Sequence, residues 1–521
     1  MFQRSLLRDA DVEPLAQAVL TVLEKVGILC QNEELLRALA AAGARVDSAA
    51  ERAWFPKRLV LEFAEQLRRE RSGRVRQDAA RPWVDSSPLP PGEGRVRDAR
   101  SRRTARSTPS AAPHPTPLPT GEGEEAAGRA FPMLGLPDLE TQVAQFVLDP
   151  ETGERRSGNK ADFIRLIHFG DALHGDVGVG HCLLLTDVPP LVEPLEAALL
   201  LAEHVRKPHA AFAWNARQIP YLAEMGEILG LKDWFNYGAI CFAHPLRFDR
   251  DVADRFVHKV KAGSPTGLTA MPVAGITAPV TLAGFIAVSA AEHLATWIAA
   301  RALNPSVRLG GSMWAGTVDM RTGATSYCAF DAMLYAFATV EFLRRWTGVE
   351  VPVGGGEYCD AKVPGLYAAL EKAYKAMTIA AFTGQHPGIG AGHLENGKSL
   401  SAVQLLIERD LTLGVRHYAR TVEASPELLG IEEILDVGLG IEKNHLGTDH
   451  TVRHFRDSLW LPGLLDRTGL AGFGYEETIL AKAQQQAIAL VASYCRPAVE
   501  PDRLEAVRRV VERARRELAE E

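Results

Sequence analysis

Trp214, Phe242, Trp314 and Tyr358 each stand at the end of a short apolar run, and Glu357 directly precedes the last of them. Ring faces beside a carboxylate suit a quaternary ammonium, which is held by cation–π attraction and has no proton to donate. Each ring taken alone reads as a core aromatic capping a strand. That all four fall at run ends favours a shared cavity. Asn215, His244, Asp360, His393, Glu395, Asn444 and His445 fall at the same kind of position, and the set is short of Lys and Arg.

The run Gly384–Ser399 (GQHPGIGAGHLENGKS) is a second focus, with five glycines around His386, His393 and Glu395. Repeated glycine means close backbone approach or an open cavity. Gly388 and Gly390 are therefore expected to line a substrate cavity. His393 and Glu395 are the catalytic candidates, orienting the substrate or tuning its charge. Metal binding is the rival. His386 and His393 are too far apart for a helical pair, and His450 and His454, four apart, lack a third ligand or a general base. No metal is expected. Asp319–Gly323 (DMRTG) and Asp360–Lys362 (DAK) read as ion pairs fixing their loops, or else Arg321 or Lys362 anchors a substrate carboxylate. No GxGxxG follows a strand and no GxxxxGK[ST] occurs, so nucleotide chemistry has no support.

Those residues need elements to place them. Apolar runs at Val177–Leu185, His209–Trp214, Phe235–Ala243, Leu268–Val273, Val307–Met313, Val349–Gly354, Gly388–His393 and Ile434–Val437 read as strands. Helical patterns separate them at Leu191–Arg206, Ile219–Leu229, Asp251–Ala262, Val280–Leu303, Ala329–Trp346, Leu366–Phe382 and Leu400–Val422. Eight strands with helices between them predict an α/β chain folded as a (β/α)8 TIM barrel, with the site at the C-terminal ends of the strands. An open doubly wound sheet is the competing topology. The expected layout is an N-terminal helical subdomain (1–71), a barrel (129–443) and a C-terminal extension with a helical tail (444–521). Within the first, Asn32 is expected to cap a helix over Glu33–Ala42 that Gly43 stops. Residues 72–128 are rich in Arg, Pro, Ser and Gly and contain an imperfect repeat, SPLPPGEG and TPLPTGEG. Such composition cannot bury enough surface to order itself, so a disordered insertion is expected.

A net charge of −7 argues against a general nucleic-acid binder. Six scattered cysteines read as reduced thiols of a cytoplasmic protein. The first residues show no basic leader followed by a long apolar run, so no signal peptide is expected. The most apolar stretch, Val273–Ala300, is interrupted by Pro279, Glu292 and His293 and reads as buried core rather than a membrane span.

"MPVAGITAPVTLAG" from Met271, "DMRTGA" at Asp319–Ala324, "DAKVPG" at Asp360–Gly365 and "HTVRHFRDSLWLPGLLDR" at His450–Arg467 resemble the trimethylamine methyltransferase family. That family includes methyltransferases for glycine betaine and related quaternary amines. The resemblance extends to Val26–Val46 and Leu148–Arg156 and covers nearly all the chain outside 72–128. It implies the barrel, a methylated-amine substrate, and a homo-oligomer. It also implies that the chain binds no cofactor itself, cobalamin being supplied by a separate corrinoid protein; no corrinoid-binding DxHxxG pattern is present. The chain resembles the members without pyrrolysine, because Gly384–Ser399 offers only ordinary residues. Such members demethylate quaternary amines. The rivals are a tertiary-amine demethylase, needing a proton donor such as His393 or Tyr358, and an inactive betaine binder. One departure stands at Phe330-Asp331, where the family tends to have Pro-Glu.

Overall fold

The computed structural model describes residues 5–78, 136, 138–139, 142–174, 177–383, 388–418, 420, 422–469 and 474–519. The chain divides into two compact units, Met1–Arg71 with Met133–Glu521, and Ser72–Pro132. The first is the subject below. The expected insertion lies outside the described residues, apart from 72–78, whose backbone continues the helix α3 (Lys57–Asp78) past its expected end at Arg69.

In α1 (Asp9–Lys25) the spacing of Leu15, Val19, Leu20 and Leu23 makes one buried stripe. That stripe packs on α8 (Leu282–Leu303). Asn32 caps α2 (Glu33–Ala41), its Oδ1 accepting from the Leu35 amide at 2.8 Å. The N-terminal part is not purely helical. Ile28–Cys30, Arg45–Asp47 and Arg52–Trp54 form a small sheet that takes Arg247–Phe248 as a parallel fourth strand.

From residue 144 onward the pairings step along the chain in parallel. Ala144 bridges Leu183, Val179 bridges Pro208, and Ala211 pairs with Phe235. The Thr269 amide donates to the Ile240 carbonyl at 2.8 Å. Thr266–Ala270 pairs with Leu309–Met313 over five residues, and Met313 bridges Val353. The Gly390 amide reaches the Gly356 carbonyl at 3.1 Å, and Ser399–Leu400 runs parallel to Phe146–Val147. Between them stand α4 (Lys160–His174), α5 (Glu193–His204), α6 (Ile219–Leu229), α7 (Arg250–Lys261), α8, α9 (Phe330–Thr347), α10 (Leu366–Thr383) and α11 (Ala402–Tyr418). The result is a mixed α/β chain. Among the described residues its strands form several small sheets, and no closed barrel is found.

Seven of the eight expected strands carry a strand or bridge pairing. The eighth is a correction: Ile434–Val437 lies in a helix, α13 (Ile431–Val437), just after the single turn α12 (Pro426–Leu429). A four-residue apolar run cannot be told from a helical segment by periodicity, and Glu432 and Glu433 in the first turn favour the helix. The chain instead contributes Phe146–Leu148, a strand that the reading of the sequence passed over. Beyond α14 (Asp449–Ser458) the tail is two helices, α15 (Tyr475–Ser493) and α16 (Pro501–Ala519). Both are packed into the core, through Ile479, Ala483, Val507 and Val511.

α8 is buried all round, from Phe285 to Ala300. It is long and apolar enough to cross a membrane, and 78% of that window is buried inside the structure.

Candidate active site

Two neighbouring strands bring Trp314 and Tyr358 together. Trp314 follows the strand Leu309–Met313, with its amide on the Ala270 carbonyl at 2.8 Å. Tyr358 lies just beyond Val353, the residue bridged to Met313. Their rings meet edge to face at 4.9 Å between centroids. Trp314 Nε1 donates to Ser312 Oγ at 3.1 Å, and Tyr358 Oη accepts from Gln142 Nε2 at 2.9 Å. Each polar tip is thereby satisfied at a depth where an orphan would be costly. Tyr327 adds a third ring 5.8 Å from Tyr358. Close packing against Tyr358 is possible because residue 397 is glycine; a Cβ there would overlap the tyrosine ring.

Two charges face this aromatic group. Glu357 is half-buried, and no ion pair to it within 4.0 Å occurs among the described residues. Burial holds its carboxyl above the usual carboxylate range, against the pull of Lys375 and Lys372. Lys375, from α10, is buried with Nζ 5.9 Å from the Tyr358 centroid, donating to the Tyr327 carbonyl. Burial brings its ammonium down to about 8.

His393 lies alongside, on the strand His393–Leu394. Its Nε2 is 3.2 Å from the Gln142 carbonyl, and its Nδ1 is buried with no hydrogen-bond partner among the described residues. Burial first, then Lys372, lowers it to about 3, so the ring is neutral at ordinary pH. Behind it Lys372 and Glu408, both fully buried, form an ion pair, and Gln404 Nε2 donates to the same carboxylate at 2.8 Å. The Gly392 amide also donates to Glu408, at 2.7 Å. A Cβ at Gly390 would overlap that carboxylate, so this glycine makes room for the ion pair. Gly388, with φ of 92°, is half-buried at the start of the same stretch. His386 lies outside the described residues.

The other expected site residues are placed elsewhere. Glu395 takes a left-handed φ of 52° in the turn after His393–Leu394 and is committed to Arg155 at 2.8 Å and Ser399 at 3.1 Å. Trp214 stacks on Phe212 at 5.2 Å and donates to Glu193 at 3.3 Å, beside His181. Phe242 packs on Phe248 at 4.9 Å in the hydrophobic core. His244 is held between Glu292 at 2.8 Å and the Met271 amide at 3.0 Å. Asn444 caps a short turn, and neither it nor His445 contacts the rings. Arg321 pairs with Asp319 at 2.8 Å and holds that carboxyl down at about 2; Lys362 is exposed and donates to the Asp360 carbonyl at 2.6 Å. The DMRTG spacing thus gives the expected loop-fixing ion pair, whereas in DAK the lysine bonds a backbone carbonyl and the Asp360 carboxylate accepts from Asn396 at 2.9 Å instead. At the Phe330-Asp331 departure, Phe330 stacks on Tyr374 at 4.8 Å and Asp331 accepts from Thr317 at 3.0 Å.

Reading of the sequence missed Lys375, Lys372, Gln142 and Tyr327. A signal existed in α10. Ala368, Lys372, Lys375, Ala376 and Ile379 share one buried face, and charged residues on such a face are rarely there for solubility. Also unforeseen is a group of possible metal donors, Cys328, Asp360 and Glu371, within 4.8 Å of one another. It fits a metal poorly: Glu371 accepts from the Asp360 and Ala361 amides at 2.9 and 3.0 Å, and burial pushes the Cys328 thiol up to about 12. His450 and His454 do share a face of α14, with rings 4.7 Å apart, and Glu427 is 3.8 Å from His454.

The sequence profile of the trimethylamine methyltransferase family matches residues 140–519. A trimethylamine methyltransferase of Methanosarcina mazei is 28% identical over 287 residues, 54% of this chain and 56% of its own. One from Methanosarcina barkeri is 30% identical over 232 residues, 44% of this chain and 45% of its own. A glycine betaine methyltransferase of Desulfitobacterium hafniense is 26% identical over 263 residues, 50% of this chain and 53% of its own. The chain thus spans about half the length of the curated relatives it matches.

Proposed function

The chain belongs to the trimethylamine methyltransferase family, and we propose that it demethylates a methylated amine, specifically a quaternary one such as a betaine, passing the methyl group to a separate corrinoid protein. The observation that carries this reading is the Trp314–Tyr358 edge-to-face pair, with the half-buried carboxylate of Glu357 next to it in the chain. Ring faces and a nearby carboxylate are what a permanent cation without N–H groups can use. A cation seated there would also favour the ionised form of Glu357, offsetting its burial. The residues contribute positioning and exclusion of water. No proton needs to move, because a quaternary ammonium departs as a neutral amine.

The corrinoid would supply a strong nucleophile for the methyl carbon. Its carriage on a partner is supported by the family membership and by a sequence that carries no corrinoid-binding DxHxxG pattern. The reading includes the (β/α)8 barrel at 129–443, which the stepwise parallel pairings support, flanked by the 1–71 and 444–521 segments. It includes self-association, supported by the exposed side chains of Leu435, Leu439, Ile441 and Leu446. A cytoplasmic setting suits the scattered cysteines.

The test is reconstitution. The purified protein alone should demethylate nothing. With a reduced corrinoid protein it should turn over glycine betaine in preference to trimethylamine. Turnover without any corrinoid, or of trimethylamine alone, would overturn the reading.

A further inference from the structure

We infer that Lys375 is the specificity-determining residue beside this aromatic group, selecting a methylated amine that carries its own anionic group over a bare cation of similar size. The inference rests on the amine-binding reading above and names the substrate feature and its reader. Lys375 Nζ lies 5.9 Å from the centroid of Tyr358, whose ring meets Trp314, and donates one hydrogen bond, to the Tyr327 carbonyl. An ammonium has three N–H donors, so two are left for a ligand. Gly355 opens the approach: a Cβ there would stand 2.6 Å from Nζ.

The group is therefore dipolar. Glu357 and the ring faces favour a positive head, while Lys375 repels one. At partly buried sites such forces are about fourfold stronger than in water. A tetraalkylammonium meets attraction and repulsion together. A zwitterion can place its ammonium against the rings and Glu357, and its carboxylate on Lys375. The exposed Arg321 and Lys362 are already committed to their own loops.

The groups facing Lys375 determine how this selectivity varies with pH. Its burial is opposed by Cys328, Glu357, Asp360 and Cys359, and Lys372 on the same helix is paired with Glu408. The Cys328 and Cys359 thiols are pushed up to about 12, and burial also raises the Tyr327 and Tyr358 phenols. Lys375, at about 8, is the neighbour that changes charge in mildly alkaline solution. Preference for the zwitterion is present below that pH and fades above it.

The experiment is calorimetric binding of glycine betaine and of tetramethylammonium to the full-length protein, wild type, Lys375→Met and Lys375→Arg, with melting temperatures as a fold control. Wild type should prefer glycine betaine. Lys375→Met should lose about tenfold or more for glycine betaine, roughly 1.4 kcal/mol per tenfold, and hold tetramethylammonium at least as well. Lys375→Arg should keep part of the preference. The wild-type preference should shrink as pH rises through about 8, and this decides the matter even if Lys375→Met does not fold. Equal losses for both ligands, or a flat wild-type pH profile, would overturn the inference. If wild type binds tetramethylammonium as tightly as glycine betaine, the amine reading stands and the role of Lys375 falls. If wild type binds no methylated amine, both fall.

Discussion

Gly354 lies against the indole of Trp314 so closely that a Cβ at residue 354 would overlap Trp314 Cε2. The orientation of the ring is thus set by the absence of a side chain on the neighbouring strand end. Gly354→Ala should displace the indole while leaving the backbone unstrained, since overpacking costs about 1–3 kcal/mol. A drop in melting temperature with a several-fold loss of betaine affinity is the expected result. An unchanged affinity would mean that the indole does not touch the ligand.

Removing the rings should act on binding more than on folding. Trp314→Ala or Tyr358→Ala should weaken betaine binding roughly 3- to 30-fold, each desolvated ring face being worth about 0.5–2 kcal/mol. Tyr358→Phe keeps the face and loses only the bond from Gln142, so it should cost less. If Phe fails as badly as Ala, Tyr358 acts through its hydroxyl, and a proton donor for a tertiary amine becomes the better account.

The two glutamates expected at the site should behave differently. Glu395 is spent on Arg155, and a partly exposed pair contributes about 0–1 kcal/mol. Glu395→Gln should leave betaine affinity unchanged. Glu357→Gln should weaken it measurably in the same titration. The reverse outcome would move the site toward the Arg155 side.

Lys372 and Glu408 form a fully buried ion pair. Removing one partner strands the other charge, at a cost of about 3–5 kcal/mol. Lys372→Met should therefore lower the denaturant midpoint strongly, and adding Glu408→Gln should recover part of the loss. No recovery in the double variant would show that the pair matters for shape rather than charge.

His393 and His293 are both buried and lowered to about 3. A histidine whose folded value lies below its unfolded value of about 6.5 binds its proton more readily in the unfolded chain. The protein should therefore lose stability as pH falls below about 6.5, continuing toward 3. His393→Gln should make that slope shallower in melting curves taken between about pH 6.5 and 5. An unaltered slope would place the acid sensitivity elsewhere.

Local pattern was enough for the helices α5 to α11, for seven of the strand positions and for the family, because periodicity and short motifs are properties of neighbouring residues. It was also enough to place Trp314 and Tyr358 at strand ends. It could not separate them from Trp214 and Phe242, which have the same local signature yet pack on Phe212 and Phe248. That choice depends on which strands pair, as Met313 does with Val353. Likewise the spacing of DAK and DMRTG drew attention to Lys362 and Arg321, while the cation beside the rings is Lys375, delivered from α10 across an opening at Gly355. Whether a charged side chain meets water, a partner or a cavity is decided by what packs against its element from far along the chain, and only the tertiary structure holds that information.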